Sequence, residues 1–328
     1  MKHSYSRPTA SRPTASRPTA SRPTASRLGA TFTSVLTVLA LVMAPAAMAA
    51  DAVSTAEAKS MQRIISIDGA LTEIVYALGA GDRLVAVDTT SRYPQAATAL
   101  PDVGYMRRLS TEGILALQPD LVIASREAGP QQVFDQLQQA GVEVQRIDAE
   151  HSVEGVLHKV DQVARVLKLD DQGAQLRQQI RRQSEAALAR IPDQTGPATM
   201  FILGAGNRGL MAAGRHTQAQ ALLDVLAVDN VIDYQGYKPL SVEGALLANP
   251  AVVFVAYTGP ADHQAFSESL ALTDAGKSGR IYALDASSVL GFGPRIGSAL
   301  TQLVDMLYPA SHQHQQTQKQ SQPLAGAE

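Results

Sequence analysis

Residues 109–122 read LSTEGILALQPDLV, and residues 240–253 read LSVEGALLANPAVV. The shared pattern L-S-x-E-G-x-L-x-x-x-P-x-x-V matches at seven positions with a constant offset of 131. Self-similarity at this spacing implies one structural unit used twice, once in each of two lobes. Each copy spells a loop, a short helix and a buried strand. Ser110 and Ser241 stand where an N-cap accepts a backbone N–H, with Gly113 and Gly244 at the receiving position. Glu112 and Glu243 fall in the first turn, where a carboxylate suits the positive end of the helix dipole. Pro119 and Pro250 end each helix before an apolar run. A Gly-Tyr pair precedes each copy: Gly104-Tyr105 and Gly236-Tyr237.

Outward from the first copy, short apolar runs at 63–67, 83–88, 121–125 and 142–147 alternate with helical patterns at 71–78, 111–117 and 131–140. Around the second copy, strand patterns at 200–203, 252–257 and 280–284 alternate with helical ones at 218–226, 242–247 and 296–307. Such alternation predicts βαβ units and mostly parallel sheets. Between the two series lie helical stretches at 153–167 and 173–191. The second ends at Pro192 and reads as a long helix joining the lobes. The expected fold class is therefore α/β: two lobes on a single long helix, with a ligand cleft between them. The divisions are an N-terminal lobe at 50–168, the connecting helix at 169–193, a C-terminal lobe at 194–308 and a disordered Gln-, Ser- and His-rich tail at 309–328. Both Gly-Tyr segments read as loops facing each other across the cleft.

Composition narrows the chemistry. The 328 residues are 45% hydrophobic, enough to bury a core, and include no Cys, which excludes disulfide scaffolds, thiol catalysis and cysteine-based metal sites. Residues 1–27 carry six basic residues and no acidic one, with RPTAS repeated four times. An apolar run at 28–43 follows, then small residues including Ala47-Met48-Ala49. This is the pattern of a secretory signal peptide cleaved near Ala49, and the run is short for a membrane span. Without that segment the chain holds 22 basic and 30 acidic residues, a formal net charge of −8. That balance argues against nucleic acid as a partner. No G-x-S-x-G is present, and Gly204-Ala205-Gly206-Asn207-Arg208-Gly209 lacks the ending of a phosphate loop. His151 and His158 stand on a polar helical stretch and make no metal motif, and His312 and His314 lie in the solvated tail. An enzyme is the least favoured class.

The segments RIISIDGALTEIVYALGAGDRLVAVDTTSRYP, LPDVGYMRRLSTEGILALQPDLVIAS, MAAGRHTQAQALL and GYKPLSVEGALLANPAVVFV together resemble the periplasmic haem-binding proteins of bacterial ABC haem importers. These proteins lie within the helical-backbone class that also binds iron-siderophores and vitamin B12. The likeness spans residues 63–309. It implies two Rossmann-like lobes on one rigid helix. It also implies a periplasmic, monomeric protein that captures ferric haem and delivers it to an inner-membrane permease dimer with its ATPase, downstream of an outer-membrane haem receptor system. A ferric siderophore or cobalamin is the alternative ligand.

The resemblance also assigns roles. The tyrosine of VGYMR, here Tyr105, supplies the axial oxygen to haem iron, a hard anionic ligand suited to ferric iron. Tyr93 and His216 are the lesser candidates. Some members place a histidine in the loop at 204–209, which has none here. Arg107, Arg108, Arg215 and Lys238 are the cations available to the two propionates, with Tyr237 beside them in the cleft. Glu112 and Glu243, one per lobe, are the expected docking points on the two permease subunits.

Overall fold

The computed structural model describes residues 62–204, 210–258 and 270–309. The expected signal segment with its RPTAS repeats, the loop at 205–209 and the tail from 310 lie outside the described residues.

Four strands form the sheet of the first lobe: β1 (Ile64–Ile67), β2 (Leu84–Val87), β3 (Leu121–Ser125) and β4 (Glu143–Ile147). All pair in parallel, in the order β2-β1-β3-β4. β1 reads IISI and is buried along its whole length, because helices cover both faces of the sheet. On one face, α1 (Gly69–Ala77) and α4 (Val153–Leu167) pack through Leu71, Ile74, Val156, Val160 and Val163. On the other, α2 (Thr111–Leu115) and α3 (Gln131–Gln139) pack through Ile114, Val133, Phe134 and Leu137.

The second lobe holds β5 (Thr199–Gly204), β6 (Leu210–Ala213), α6 (Gln218–Val225), β7 (Tyr237–Pro239), α7 (Val242–Ala248), β8 (Val252–Tyr257), α8 (Asp274–Lys277), β9 (Ile281–Asp285), α9 (Ala286–Leu290) and α10 (Ile296–Leu307). Its five strands run β7-β6-β5-β8-β9. β5, β8 and β9 are parallel, whereas β6 and β7 are antiparallel additions at one edge. The segment around Tyr237 and Lys238, expected as a loop, is thus an edge strand. Pro239 is tolerated there because an outermost strand can spare an N–H.

The repeat folds as the same unit in both lobes. Ser110 Oγ accepts from the Gly113 N–H at 3.4 Å, and Ser241 Oγ accepts from the Gly244 N–H at 3.0 Å. Gln118 and Asn249, just before the two prolines, both take positive φ, 48° and 37°.

The connector is α5 (Asp170–Leu188), which starts three residues before the helical pattern read at 173–191, with Asp170 and Asp171 in its first turn. It packs against α4 of the first lobe and α10 of the second. Two glycines set these contacts. A Cβ at Gly173 would fall 2.5 Å from the Ala164 Cβ on α4, and one at Gly297 would fall 2.5 Å from the Gln183 Cβ on α5. Ile180 and Ala187 of α5 join a single apolar core that runs from Ile64 and Leu121 through the helices to Phe201 and Phe254. Arg190, just past the connector, pairs with Asp305 of α10.

Candidate functional site

The parallel strands of both sheets end at one cavity of about 560 Å³. Its wall is built from residues that directly follow those strands: Asp68 after β1, Thr89 and Thr90 after β2, Arg126 and Glu127 after β3, and Asp148, Ala149 and His151 after β4. From the second lobe come Leu203, Thr258, Ala286 and Ser287. Ligands of open α/β sheets bind at the carboxyl ends of strands, beside the point where strand order reverses. Here that point lies between β1 and β3, next to Asp68 and Glu127.

Asp88 fastens the loop after β2. It is 1% exposed, and its two oxygens accept from the backbone N–H groups of Asp68 and Thr90 and from the hydroxyls of Thr90 and Ser91, at 2.7–3.0 Å. Asp68, at φ 119°, caps α1 by accepting from the Ala70 N–H.

Tyr105 sits on the loop after the first Gly-Tyr glycine. Gly104 has φ 94°, and its carbonyl accepts from the Thr89 N–H at 3.1 Å. Met106 and Leu109 are buried under the loop, Met106 also reaching the cavity, while Tyr105 is 42% exposed in the cavity wall. Tyr237, which follows Gly236 at φ 74°, lines the same cavity from β7. Its hydroxyl is engaged by Thr217 and by the Ala219 backbone, and burial raises its pKa above the ordinary phenol value.

Beside Tyr105, Arg107 pairs with Glu127 at 2.6 Å, and His151 Nε2 lies 3.4 Å from the other Glu127 oxygen. Those bonds, His151 first and Arg107 after it, hold the Glu127 carboxyl at about 2 against the opposing effect of burial. The His151 ring also packs on Phe292 of the second lobe, centroids 5.3 Å apart.

Below the cavity the lobes are tied together. Arg295 makes a two-pronged bond to Glu73, Nε to Oε2 at 2.8 Å and Nη2 to Oε1 at 2.6 Å. Its guanidinium lies 4.1 Å over the Tyr93 ring. Burial pushes the Glu73 carboxyl up and the Arg295 bond opposes it. At the rim, Arg92 donates to the Thr258 carbonyl across the cleft.

The residues singled out from sequence thus separate. Tyr105, Arg107 and Tyr237 line the cavity. Tyr93 is stacked on Arg295 and is not in the wall. Arg108, Arg215, His216 and Lys238 are exposed and also stand outside the wall. Arg215 bonds the Asp233 carbonyl and lies 3.9 Å from its carboxylate, and the Lys238 ammonium rests 4.7 Å over the Tyr234 ring. Glu112 and Glu243 are exposed at their helix starts, and neither has an ion-pair partner among the described residues.

Sequence reasoning missed Asp68, Glu127, His151 and Lys159. A signal for the first three was available, since each lies within four residues of a parallel strand's carboxyl end. Among the described residues, no cluster of three His, Asp or Glu side chains is placed to hold a bare metal ion.

The chain belongs to the periplasmic binding protein family, whose sequence model matches residues 64–288. The vitamin B12-binding protein of Yersinia pestis (strain Pestoides F) is 30% identical over 206 residues, covering 62% of this chain and 72% of its own. Among solved structures, the periplasmic heme-binding protein BhuT in complex with two hemes matches with a TM-score of 0.69 at 40% identity, over 76% of this chain and 99% of its own. A periplasmic heme-binding protein from Pseudomonas aeruginosa matches with a TM-score of 0.69 at 34% identity, over 76% of this chain and 93% of its own. Two α/β lobes on a helical connector are the fold of this group.

Proposed function

We propose that this protein captures ferric haem in the cavity between its lobes, with the Tyr105 oxygen on the iron, and hands it to an inner-membrane ABC permease from the periplasm. The observation that carries this reading is the contrast between two tyrosines on one cavity. Tyr105 is open to the cavity, while the Tyr237 hydroxyl is already held by Thr217 and the Ala219 backbone, and burial raises its pKa. One phenol oxygen is open to an iron ion in the cavity, and the other is already occupied by the protein. Met106, Leu203 and Leu290 give the cavity apolar surface suited to a porphyrin face, and Arg107, paired with Glu127, adds positive charge beside Tyr105. The solved relatives that bind haem support the same ligand.

The test is spectroscopic. Purified protein loaded with ferric haem should show a phenolate-to-iron charge-transfer band. Tyr105→Phe should abolish that band and weaken binding more than about tenfold, or ~1.4 kcal/mol. Tyr237→Phe should keep the band and cost less than about threefold. An unchanged spectrum in Tyr105→Phe removes Tyr105 from the iron. The vitamin B12-binding relatives favour a second reading, cobalamin; tighter binding of cyanocobalamin than of haem would put it first.

The delivery step follows from Glu112 and Glu243, exposed at the same point of the same unit in each lobe. A protein with two such points fits a twofold permease. Glu112→Ala/Glu243→Ala should keep haem affinity and lose stimulation of the permease ATPase. Stimulation at the wild-type level would place docking elsewhere.

A further inference from the structure

Four cationic side chains line the cavity: Arg92, Arg107, Arg126 and Lys159. The three arginines are tied. Arg92 donates to the Thr258 carbonyl, Arg107 pairs with Glu127 at 2.6 Å, and Arg126 lies 3.7 Å from Asp148. Lys159 differs from them in both burial and pairing. It is 9% exposed, on α4 one turn beyond Gly155. Among the described residues it makes no hydrogen bond, and no carboxylate oxygen lies within 4.0 Å of its ammonium. An ammonium on a side chain nine-tenths buried, with three N–H donors that no protein group accepts, relies on whatever enters the cavity, and a fold that keeps one lining a cavity gains when an acceptor arrives.

We propose that Lys159 is the carboxylate-binding residue of this cavity, the group that takes an acid side arm of the ligand at the inner end of the cleft. This rests on the haem reading above, in which the acid arms are the two propionates. The groups that face Lys159 fit the role. Burial lowers the Lys159 pKa, and Asp68, Glu127 and Glu73, in that order, oppose it and favour the charged form from a distance. Glu127 is occupied by Arg107 and His151, and Glu73 by Arg295. That leaves Asp68, already capping α1 through the Ala70 N–H and pushed up by burial, as the one rival for the ammonium. A ligand carboxylate that reaches hydrogen-bond distance outcompetes a carboxyl that does not. The three arginines have no such vacancy, since each would first release a protein partner.

The test compares ferric haem with its dimethyl ester, in which both propionates are neutral, on wild type and Lys159→Met. Methionine keeps the length of the side chain and removes the charge. Wild type should favour the free acid over the ester by about tenfold to a hundredfold, the range of one charge-assisted hydrogen bond. Lys159→Met should bring that ratio to within about threefold of one. It should also keep the Tyr105 charge-transfer band and a ligand-free melting temperature no lower than wild type. Lys159→Gln repeats the comparison if the methionine variant fails to fold. A variant that keeps the wild-type ratio overturns Lys159 as the carboxylate site and leaves haem capture standing. A lowered melting temperature with an unchanged ratio makes Lys159 a structural charge and overturns the proposal too. If wild type binds neither haem nor its ester, the haem reading falls, and this site falls with it.

Discussion

In the N-terminal lobe the cleft wall carries Asp68, Glu127 and His151 just past the ends of parallel strands, Arg107 on the loop after Tyr105 and Lys159 on α4. In the C-terminal lobe it carries Leu203, Tyr237, Ala286 and Leu290, with Asp285 as its charged member. Yet both lobes enter the cleft through the same Gly-Tyr, serine-capped helix and buried strand. The repeated unit therefore sets where each lobe presents a tyrosine, and the neighbouring strands decide what that tyrosine can do. Beside Tyr105 lies an open loop and a charged wall. Around Tyr237 lies an antiparallel edge strand with Thr217 and Ala219 closing on the hydroxyl. One lobe supplies charge and the other a quieter surface, so duplication of a motif has not meant duplication of a role.

The largest test of this division acts on the tie between its halves. Arg295→Met leaves the Glu73 carboxyl, 7% exposed, without its partner. Breaking such a pair should cost about 3 kcal/mol in urea denaturation, and Glu73→Gln in the same chain should recover much of it. A loss below about 1 kcal/mol would mean that the apolar core alone couples the lobes. The next test asks whether the repeated helices are equivalent. Ser110→Ala and Ser241→Ala should each cost about 1 kcal/mol. Ser241 should cost slightly more, since its bond is 3.0 Å against 3.4 Å. A cost at one site alone would break the equivalence. The smallest effect belongs to Glu127. Its carboxyl titrates at about 2 in the fold against an ordinary 4.5, so the unfolded chain binds more protons between those values. Its stabilisation is present above pH 4.5 and lost as pH falls toward 2. Glu127→Gln should flatten that acid limb of the melting temperature, by a modest amount because the pair is partly solvated. An acid limb of unchanged slope would detach Glu127 from it.

The central parallel strands were legible because they are buried on both faces and read as continuous apolar runs: LVIAS at 121–125 and VVFVAY at 252–257 need no partner to be recognised. β6 and β7 gave no such signal. LMAA and YKP are too short to alternate and become strands only by pairing with β5 and with each other. α9 was missed for a similar reason, being five residues long and held by its Asp285 cap. At the site, Tyr105 was legible because a repeat and a motif both pointed to it. Lys159 was not, since in VEGVLHKVDQVARVL it reads as one polar position of an amphipathic helix. Its burial is decided by what α1 and the strand ends place around it. His151 was hidden in the same way, its contacts with Glu127 and Phe292 coming from distant parts of the chain.

Gly173 and Gly297 have a mechanical consequence. Because α4, α5 and α10 touch nearly backbone to backbone at these two points, the aperture between the lobes is a dimension fixed by helix thickness. Widening it means parting the side chains of one continuous apolar core. A single methyl group at either glycine acts as a shim, resetting the gap without touching any residue that lines it.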